Sequence, residues 1–477
     1  MLSKIAISYP CRSPSVSDLN TRGTKTMKTF TKITFLAALG LMAPNAFAEI
    51  TTEQAASLGG DEFTPIGAER AGNAAGTIQA WTGGLTELPA GYVVGEPLVD
   101  PFPDEQPLFT ITAQNFEQYK ENLSTGQIAL LQRYPDTFRM PVYTSHRTAA
   151  YPETMYAAVK EDALTAKTTP DGNGLINVDS YVPFPFPKSG VEVIWNHVLR
   201  YRGGSVKRSY TQIPVQANGS FSPVVFEDQL TFAQYLGTSP PNRLFYYKQS
   251  IKAPARLEGD VLLVHENINQ VTEPRAAWVY NAGQRRVRRA PDVAYDGPGN
   301  ASDGLRTADD LDLYNGAPDR YEWKLLGKKE LYIPYNSFRL SSKDLKYKDV
   351  VLAGHLNPNY LRYELHRVWV VEATLKEGAR HIYAKRTFYV DEDTWQISIA
   401  DLYDGRGELW RVKESHNNIH YQVRVPWYAL ETSHDLISGR HLPIGLGNEL
   451  RGYQYNWDYK VQERDYTPAA LRRSGVR

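Results

Sequence analysis

The sequence predicts a mainly β protein with some α-helix, built on one large curved antiparallel sheet that a few helices cover. Three observations favour this fold class. Aromatic residues make up 12% of the 477-residue chain, and such side chains suit pleated, half-buried surfaces. From Ser205 onward, apolar residues alternate in steps of two between tight turns. Some strands, such as Val368–Val371, are apolar on both sides, so each side must be covered. A plain β-sandwich is the alternative.

A secretory leader is predicted near the N-terminus. Two lysines precede a ten-residue apolar run, Ile33–Met42, and the A-x-A sequence Ala46-Phe47-Ala48 follows. The run is too short to span a bilayer as a helix, which makes a retained anchor the weaker alternative. We therefore predict that residues 1–48 are an upstream segment plus a signal peptide, cut between Ala48 and Glu49. The mature protein is expected in the periplasm, with association to the outer membrane as a further option.

Composition and charge exclude several classes of function. The single cysteine, Cys11, precedes the predicted cleavage site, so the mature protein has no disulfide, thiolate metal site, cysteine nucleophile or lipidated cysteine. Of the 53 basic and 53 acidic side chains, six and one precede Glu49, which leaves a formal charge of −5. Such a balance indicates no nucleic-acid partner. No transmembrane segment is expected in the mature chain, and no motif predicts a cofactor.

Residues 49–190 are predicted to form an extension of ordered loops and helices. The first part is rich in Gly and Pro, but apolar residues such as Trp81 favour an ordered segment laid across the sheet, with a disordered linker as the alternative. Apolar spacings of three and four predict helix in Ala113–Phe138, in two pieces, the second beginning after Ser124 as N-cap. The same spacing predicts a helix at Thr154–Ala166.

Residues 191–430 are predicted to form the sheet, with about ten to twelve strands. Turn sequences such as Asp404-Gly405-Arg406-Gly407 join some neighbours closely enough to make antiparallel hairpins. The last segment, residues 431–477, is expected to pack on the sheet. The predicted strands are Val206–Ile213, Phe245–Lys252, Asp260–Glu266, Ala276–Asn281, Gln284–Arg289, Tyr321–Leu326, Leu361–Thr374, Arg380–Val390, Thr394–Leu402, Glu408–Lys413 and Ile419–Val425.

Three separated motifs resemble a family of secreted proteobacterial proteins of unknown function, which are labelled outer-membrane lipoprotein-sorting proteins. The motifs are Phe63-Thr64-Pro65-Ile66-Gly67 through Trp81-Thr82-Gly83-Gly84, Ala277-Trp278-Val279-Tyr280 with Arg285 to Pro291, and Asp401-Leu402-Tyr403-Asp404 through Trp410-Arg411. The resemblance extends over most of the mature chain, in the same order.

The resemblance implies a fold similar to the lipoprotein carriers LolA and LolB. Those proteins have an unclosed half-barrel of antiparallel strands, lidded by helices, with a hydrophobic cavity for acyl chains. A lipid or other hydrophobic small molecule is then the implied ligand, and an envelope transporter or an outer-membrane component is the implied partner. No catalytic residue follows from the resemblance. The chain is longer than such a carrier, and residues 49–190 have no counterpart in that fold.

Apolar and aromatic residues of the predicted strands are the candidates for lining such a cavity. Ordinary core packing is the alternative for each of them. The candidates are Trp278, Tyr280, Trp323, Trp369, Phe388, Val390, Ile397 and Ile399.

Four arginines form the most distinctive charged feature of the sequence. On a strand, Arg285 and Arg289 share one face while Arg286 and Arg288 take the other. Because unpaired buried charge is expensive, such a strand must lie at an edge or rim. A solvated edge is one interpretation. A cationic mouth for phosphate or carboxylate head groups is the other.

Metal and catalytic motifs are absent or incomplete. His416 and His420 are four residues apart, a spacing that joins two ligands on a helix, but Arg411–Val425 is predicted as two strands with a turn. The segment Asp310–Gly316 begins like a calcium loop, yet Tyr314 stands where an oxygen ligand is required. No metal site is therefore expected.

Recognisable hydrolase signatures are also missing. The chain has no G-x-S-x-G nucleophile elbow and no glycine-rich phosphate loop. The paired carboxylates Asp391 and Asp393 are predicted to sit in a solvated hairpin turn. Scattered carboxylates leave no spacing to recognise, so an enzyme of that kind stays open.

Three functions from different classes remain. The leading hypothesis is a non-enzymatic periplasmic carrier for lipids or other hydrophobic amphiphiles, linked to outer-membrane lipid or lipoprotein trafficking or to an envelope exporter. The second is a hydrolase of envelope glycans or lipids. The third is a structural docking protein whose concave face holds a partner peptide.

Overall fold

The computed structural model describes residues 50–179, 181–237 and 240–475. The predicted leader, its cleavage site after Ala48 and Cys11 lie outside the described residues. Within the described part of the chain, no helix combines the length and the apolar character that crossing a bilayer requires.

The chain forms far more strand than helix, as the composition predicts. The helices are α1 (Thr52–Ser57), α2 (Thr125–Arg133), α3 (Glu153–Thr165), α4 (Gly190–Leu199), α5 (Ala233–Leu236), α6 (Tyr347–Val350) and α7 (Pro468–Gly475). Short 3₁₀ turns lie at Phe116–Asn122, Ala308–Leu313, Pro318–Arg320, Phe338–Ser341, Pro358–Tyr360 and Glu463–Tyr466. The strands are β1 (Phe109–Ile111), β2 (Met140–Val142), β3 (Lys167–Thr168), β4 (Leu175–Ile176), β5 (Ser205–Gln212), β6 (Val224–Phe232), β7 (Arg243–Ala253), β8 (Val261–Asn267), β9 (Ala276–Asn281), β10 (Arg286–Arg289), β11 (Tyr321–Pro334), β12 (Tyr363–Leu375), β13 (Lys385–Asp391), β14 (Ile397–Tyr403), β15 (Leu409–His420), β16 (Val425–Asp435), β17 (His441–Leu446) and β18 (Tyr455–Trp457).

Sixteen of these strands form one sheet. Its order is β1-β2-β12-β13-β14-β15-β16-β17-β5-β6-β7-β8-β9-β10, with β11 paired to β12 and β18 paired to β5. Every pairing is antiparallel except the single contact between β2 and β12. The end strands β1 and β10 do not pair with each other, so the sheet is not closed. The predicted fold class, an open antiparallel half-barrel with a few helices, is confirmed.

Arg411–Val425 does contain two strands and a turn, but the predicted position of the turn, between Lys413 and Ile419, is wrong. Strand β15 runs without a break to His420, and the turn follows at residues 421–424, where Arg424 adopts a φ of +52°. A bulge between His416 and Asn417 absorbs the irregular pattern that suggested a turn. The sheet also has more strands than predicted, because β1, β2, β6, β16, β17 and β18 were not recognised.

Helices α2 and α3 form where the apolar spacing predicts them, the first predicted piece is the 3₁₀ turn Phe116–Asn122, and α1, α4, α5, α6 and α7 were not predicted. The hydroxyl of Ser124 accepts from the backbone N–H of Gln127, which caps α2 as expected. Helix α4 was not predicted, although Ser189 and Glu192 form a capping box at its start. This helix is buried on nearly every side, so it lacks the polar face that a periodic pattern needs.

The N-terminal segment packs closely against the rest of the chain. Ile66, Ile78 and Trp81 are buried, and the indole N–H of Trp395 donates to the carbonyl of Ile66 at 3.2 Å. Gly67 has a φ of +89°, and a Cβ there would stand 2.1 Å from the carbonyl oxygen of Pro185. Only glycine fits such an approach, which explains its place in the first sequence motif.

The sheet has two faces, and a long loop covers one of them. We call the face that carries Tyr247, Val264, Phe388 and Lys413 the inner face, and the opposite one the outer face. Residues 290–320, between β10 and β11, form the loop that lies on the inner face, and we call it the inner loop. The C-terminal residues beyond 430 continue the same sheet through β17 and β18 before α7 packs on the outer face.

Candidate functional site

A cavity of about 180 Å³ lies between strands β7, β8 and β9 and the inner loop. One wall is the inner face of the sheet, and the other wall comes from the inner loop. The two walls together are mostly apolar and carry a few polar groups. The lining residues are Phe245, Tyr247, Gln249, Asp260, Val261, Leu262, Val264, Glu266, Arg275, Val279, Val293, Pro298, Gly299, Asn300, Arg306, Ala308, Leu311 and Asn315.

Strand register decides which side chains reach the cavity. Leu262 on β8 is directly opposite Val279 on β9, and directly opposed residues share a face. Both line the cavity. Their sequence neighbours Leu263 and Trp278 are also opposite each other and take the outer face.

A second, larger cleft adjoins this cavity. Its volume is about 580 Å³, and it is more open than the cavity. Asp260 and Asn300 contribute to the walls of both. The cleft also has apolar side chains, among them Phe221, Ile251 and Leu257. A ligand that enters the cavity therefore has adjoining room for a longer chain.

Buried ion pairs hold the inner loop against the sheet. Asp309 accepts from Arg386 at 2.7 Å, and Asp310 lies 3.7 Å from the ammonium of Lys413. Asp312 contacts the guanidinium groups of Arg200 and Arg202. All three aspartates are at most 3% exposed. These buried ion pairs, together with apolar packing, hold the inner loop against the sheet.

Asp312 is the most heavily bonded of the three. Both of its carboxylate oxygens accept from Nη2 of Arg200, at 2.6 and 2.5 Å, and one also accepts from Nη1 of Arg202 at 2.8 Å. Burial by itself would raise the pKa of Asp312, but the two cations outweigh it and hold the pKa well below its ordinary value. Its backbone has a φ of +56°, and that of Leu313 is +62°. The ion pairs hold this unfavourable conformation in place.

Sequence reasoning did not identify these aspartates as anchors. Asp310 and Asp312 were considered only as an incomplete calcium loop, and that motif was rejected. Their basic partners come from the residues that follow α4 and from strands β13 and β15, more than 70 residues away in the chain. The three acids in four positions, Asp309, Asp310 and Asp312, were the available signal, because so dense a charge pattern inside a β-rich core needs counter-charges.

Two of the predicted lining residues lie away from the cavity. Trp278 and Tyr280 are on the outer face of β9, where they pack with Leu471 of α7. Val279, between them, is the residue that lines the cavity. A ligand-binding role for Trp278 and Tyr280 stays a prediction.

Five other predicted lining residues share the inner face with the cavity but belong to a packed core. These are Trp323, Trp369, Phe388, Val390 and Ile397. Phe388, for example, contacts Tyr314 of the inner loop in an edge-on ring pair with centroids 5.5 Å apart. Their role in binding also stays a prediction.

Ile399 departs from the predicted alternation. A bulge between Tyr389 and Val390 pairs Ile399 with Tyr389, while Ile397 pairs with Val390. Ile399 therefore packs in the outer-face cluster with Leu331. Regular alternation along the strand predicts that Ile397 and Ile399 share a face, and this expectation is wrong, because the sequence carries no signal for the bulge.

The four arginines lie at the end of the sheet, as their charge requires. Arg286, Arg288 and Arg289 are exposed on β10, which is the last strand, and Arg285 is exposed in the preceding turn. Arg288 is directly opposite Val279 and so shares the face of the cavity, whereas Arg289 lies over the ring of Trp278 on the outer face. A head-group role for these arginines stays a prediction.

The turn carboxylates Asp391 and Asp393 are buried, which corrects the prediction of a solvated turn. Asp393 forms two hydrogen bonds with Arg147, at 2.6 and 2.7 Å, and the N-terminal segment covers the turn. Burial, and then the charge of Asp393, raises the pKa of Asp391 to about 7. His366 completes a group whose ligand atoms lie within 4.8 Å of one another. These three residues have the donor types of a metal site, but Arg147 already neutralises Asp393.

The histidines considered as metal ligands are both on β15. Burial lowers the pKa of His416 and of His420 to about 3, so both rings are neutral at physiological pH. The ring of His420 lies 2.8 Å from the hydroxyl of Tyr453. The carboxyl of Glu414 accepts instead from Gln127 and Tyr363. Nε2 of His416 lies 3.9 Å from a carboxylate oxygen of Glu414, beyond hydrogen-bond distance, whereas the ring of His420 contacts Tyr453 instead.

Glu431, on the inner face of β16, is expected to make the free energy of unfolding depend on pH. Burial, and then the charge of Asp312, raises its pKa from 4.5 to about 8. A raised carboxyl pKa gives stability that is fully present below the unfolded-state pKa and is lost as pH rises towards the folded-state pKa. We expect Glu431→Gln to gain stability relative to the wild type as pH rises from about 5 to about 8, by up to roughly 1.4 kcal/mol per pH unit.

Denaturant unfolding of both proteins across this pH range measures the difference directly. Glu408→Gln, at an exposed position, controls for the chemistry of the substitution itself. A difference between Glu431→Gln and the wild type that does not change with pH would show that Glu431 is ionised in the folded protein.

Comparison with known proteins identifies relatives of this chain. The profile of the family described as "Protein of unknown function (DUF1329)" matches residues 110–472, which include two of the three sequence motifs. The uncharacterized protein PA3922 of Pseudomonas aeruginosa is 57% identical over 458 residues, covering 94% of this chain and 100% of that protein. The family predicted from the motifs is confirmed.

Two solved structures are similar in part. A Vibrio parahaemolyticus protein domain described as outer membrane lipoprotein-sorting has a TM-score of 0.42 at 13% identity, covering 59% of this chain and 98% of that one. The LolA superfamily protein NE2245 of Nitrosomonas europaea has a TM-score of 0.37 at 12% identity, covering 59% and 98% respectively.

Proposed function

Because the chain belongs to the DUF1329 family, whose function is unknown, we propose from its own geometry that it is a non-enzymatic periplasmic carrier for lipids or other hydrophobic amphiphiles. In this role it would serve outer-membrane lipid or lipoprotein trafficking, or an envelope exporter. The observation that carries the proposal is the cavity between β7–β9 and the inner loop, whose sheet wall is mostly apolar.

The sizes of the two voids suit an elongated apolar ligand. An apolar cavity of roughly 150 Å³ is enough to hold benzene, so the 180 Å³ cavity accepts a short stretch of alkyl chain. Burying about eight methylenes gives roughly 6 kcal/mol before the costs of immobilisation. Micromolar binding needs about 8 kcal/mol net. A useful carrier must therefore also place part of the chain in the adjoining cleft of about 580 Å³.

The cavity wall supports binding rather than chemistry. It contains no serine, cysteine or histidine among its lining residues. Its two carboxylates are occupied, since Glu266 pairs with Arg275 at 2.7 Å and Asp260 accepts from Asn281 and from the backbone N–H of Ala282. The carboxyl groups Asp391 and Glu414, whose pKa values burial raises, lie elsewhere in the core.

The proposal is tested by neutral ligands of increasing chain length. The protein is stripped of bound lipid, loaded with the fluorescent probe N-phenylnaphthylamine and titrated with linear alkanols. We expect affinity to rise about fourfold per added methylene until the cavity and the cleft are filled, and then to level off. Mass spectrometry of organic extracts from the untreated protein should show a co-purifying amphiphile.

A protein that takes up neither probe nor alkanol would contradict the proposal. Binding of a peptide in place of the alkanols would favour the docking hypothesis. Turnover of ester or glycan substrates by the purified protein would favour the hydrolase.

A further inference from the structure

Polar groups in the cavity wall are almost all paired with one another. Gln249 accepts from Asn300 at 2.8 Å and donates to the hydroxyl of Tyr247 at 3.0 Å. Asn315 donates to Glu266 at 2.9 Å, and Glu266 also pairs with Arg275. These bonds leave little unsatisfied hydrogen-bonding capacity for a ligand.

Arg306 is the exception among the lining residues. It is 7% exposed, and no carboxylate of the described residues lies within ion-pair distance of it. Its Nε has no hydrogen-bond partner, and its Nη1 reaches only the carbonyl oxygen of Thr307, at 3.5 Å. A buried guanidinium without a counter-charge is costly, which indicates that a ligand supplies the missing anion.

The charged groups around Arg306 do not neutralise it. Lys413 is also positive and is paired with Asp310. Glu431 faces the same region, but its carboxyl lies outside ion-pair distance of Arg306, and burial raises its pKa. Arg306 is therefore a buried cation without a carboxylate partner among the described residues, in a wall that is otherwise apolar or paired.

We propose that the cavity takes an amphiphile with a single carboxylate head, of the fatty-acid class, and that Arg306 binds this carboxylate. The inference rests on the proposed carrier function and names the ligand class for the same site. Guanidinium and carboxylate match in geometry and form strong charge-assisted hydrogen bonds. A doubly charged phosphate fits less well, because Asp260 and Glu266 already place two carboxylates in the wall.

A substitution at Gly299 can displace the guanidinium of Arg306 without removing its charge. A Cβ at this position would stand 2.7 Å from Cγ and 2.8 Å from Cζ of Arg306. The obstruction is a flexible side chain, so Gly299→Ala is expected to fold with Arg306 displaced. The exposed Arg451, between β17 and β18 and outside the lining of both voids, is the control for loss of an arginine elsewhere on the surface.

The experiment compares four twelve-carbon ligands that differ only in the head: dodecanoate, dodecanol, dodecylammonium and dodecyl phosphate. Each displaces N-phenylnaphthylamine from the wild type and from the Arg306→Met, Arg306→Lys, Gly299→Ala and Arg451→Met variants, at neutral pH. We expect the wild type to bind dodecanoate about tenfold or more tighter than dodecanol. Arg306→Met should remove this preference while dodecanol affinity stays the same. Arg306→Lys should keep part of the preference, and Arg451→Met should keep all of it.

Several outcomes would overturn the proposal. One is a wild type that binds dodecanol as tightly as dodecanoate. Another is an Arg306→Met variant that retains the preference. Dodecyl phosphate binding more tightly than dodecanoate would reject the carboxylate class. If Arg306→Met does not fold, the wild-type preference and its loss in Gly299→Ala decide the question. Absence of all binding, dodecanol included, would instead count against the carrier function.

Discussion

Replacing Asp312 with alanine is expected to lower the free energy of unfolding by about 3–5 kcal/mol, because it leaves two buried cations unpaired. Arg200 is 1% exposed and Arg202 is 4% exposed, so neither side chain can reach water without moving the inner loop. Loss of a single partner from a buried pair costs more than the pair contributes, since the remaining charges keep their desolvation penalty.

Denaturant unfolding followed by circular dichroism measures this loss. Asp404→Ala is the matched control, because Asp404 pairs with Arg406 in a turn where the arginine side chain is 76% exposed. That surface pair should contribute less than about 1 kcal/mol. Adding Arg200→Met to Asp312→Ala should restore part of the lost stability, since it removes one of the two stranded charges. Equal losses for Asp312→Ala and Asp404→Ala would show that the inner loop is not anchored by these ion pairs.

Val279→Trp is expected to weaken ligand binding by about a hundredfold, by filling the cavity from the sheet side. Val279 is half-buried and lines the cavity, so an indole at this position occupies the space that the alkyl chain needs. The effect should be equal for dodecanol and dodecanoate, which distinguishes it from the selective effect of Arg306→Met.

Two variants control for this prediction. Trp278→Phe changes the neighbouring residue on the outer face, where it packs towards α7, and should leave the affinity unchanged. Val94→Trp adds a tryptophan at an exposed position, 74% accessible, and should also be neutral. Loss of binding in Trp278→Phe but not in Val279→Trp would move the site to the outer face, where the aromatic residues predicted from sequence lie.

The sequence is sufficient to predict the sheet but not the faces of its strands. Strand β9 is apolar at four consecutive positions, Ala277 to Tyr280, so its alternation does not tell which pair faces a cavity. Large aromatic residues looked like the better lining. In the structure α7 covers Trp278 and Tyr280, while the smaller Ala277 and Val279 share the inner face. Small side chains leave the space that large ones would fill.

Charge pairing between residues far apart in the chain explains most of the remaining differences between the sequence predictions and the structure. Asp391 and Asp393 have the sequence of a solvated turn, and only the distant Arg147 and the N-terminal segment bury them. The anchors of the inner loop likewise depend on partners from the residues that follow α4 and from β13 and β15. Arg306 stands out for the opposite reason, because no carboxylate of the described residues reaches it. Local patterns do not identify the distant partner in any of these contacts.

Photocrosslinking of a bound ligand locates the binding site in the protein. A fatty acid with a diazirine at the end of its chain is bound to the stripped protein and irradiated, and the crosslinks are mapped by peptide mass spectrometry, with dodecanoate as competitor. We expect crosslinks on the inner face of β7–β9 and on the inner loop, for example at Val264, Val279 and Leu311, and their loss when competitor is added. Crosslinks confined to Trp278, Tyr280 and α7, or insensitive to competitor, would contradict this expectation.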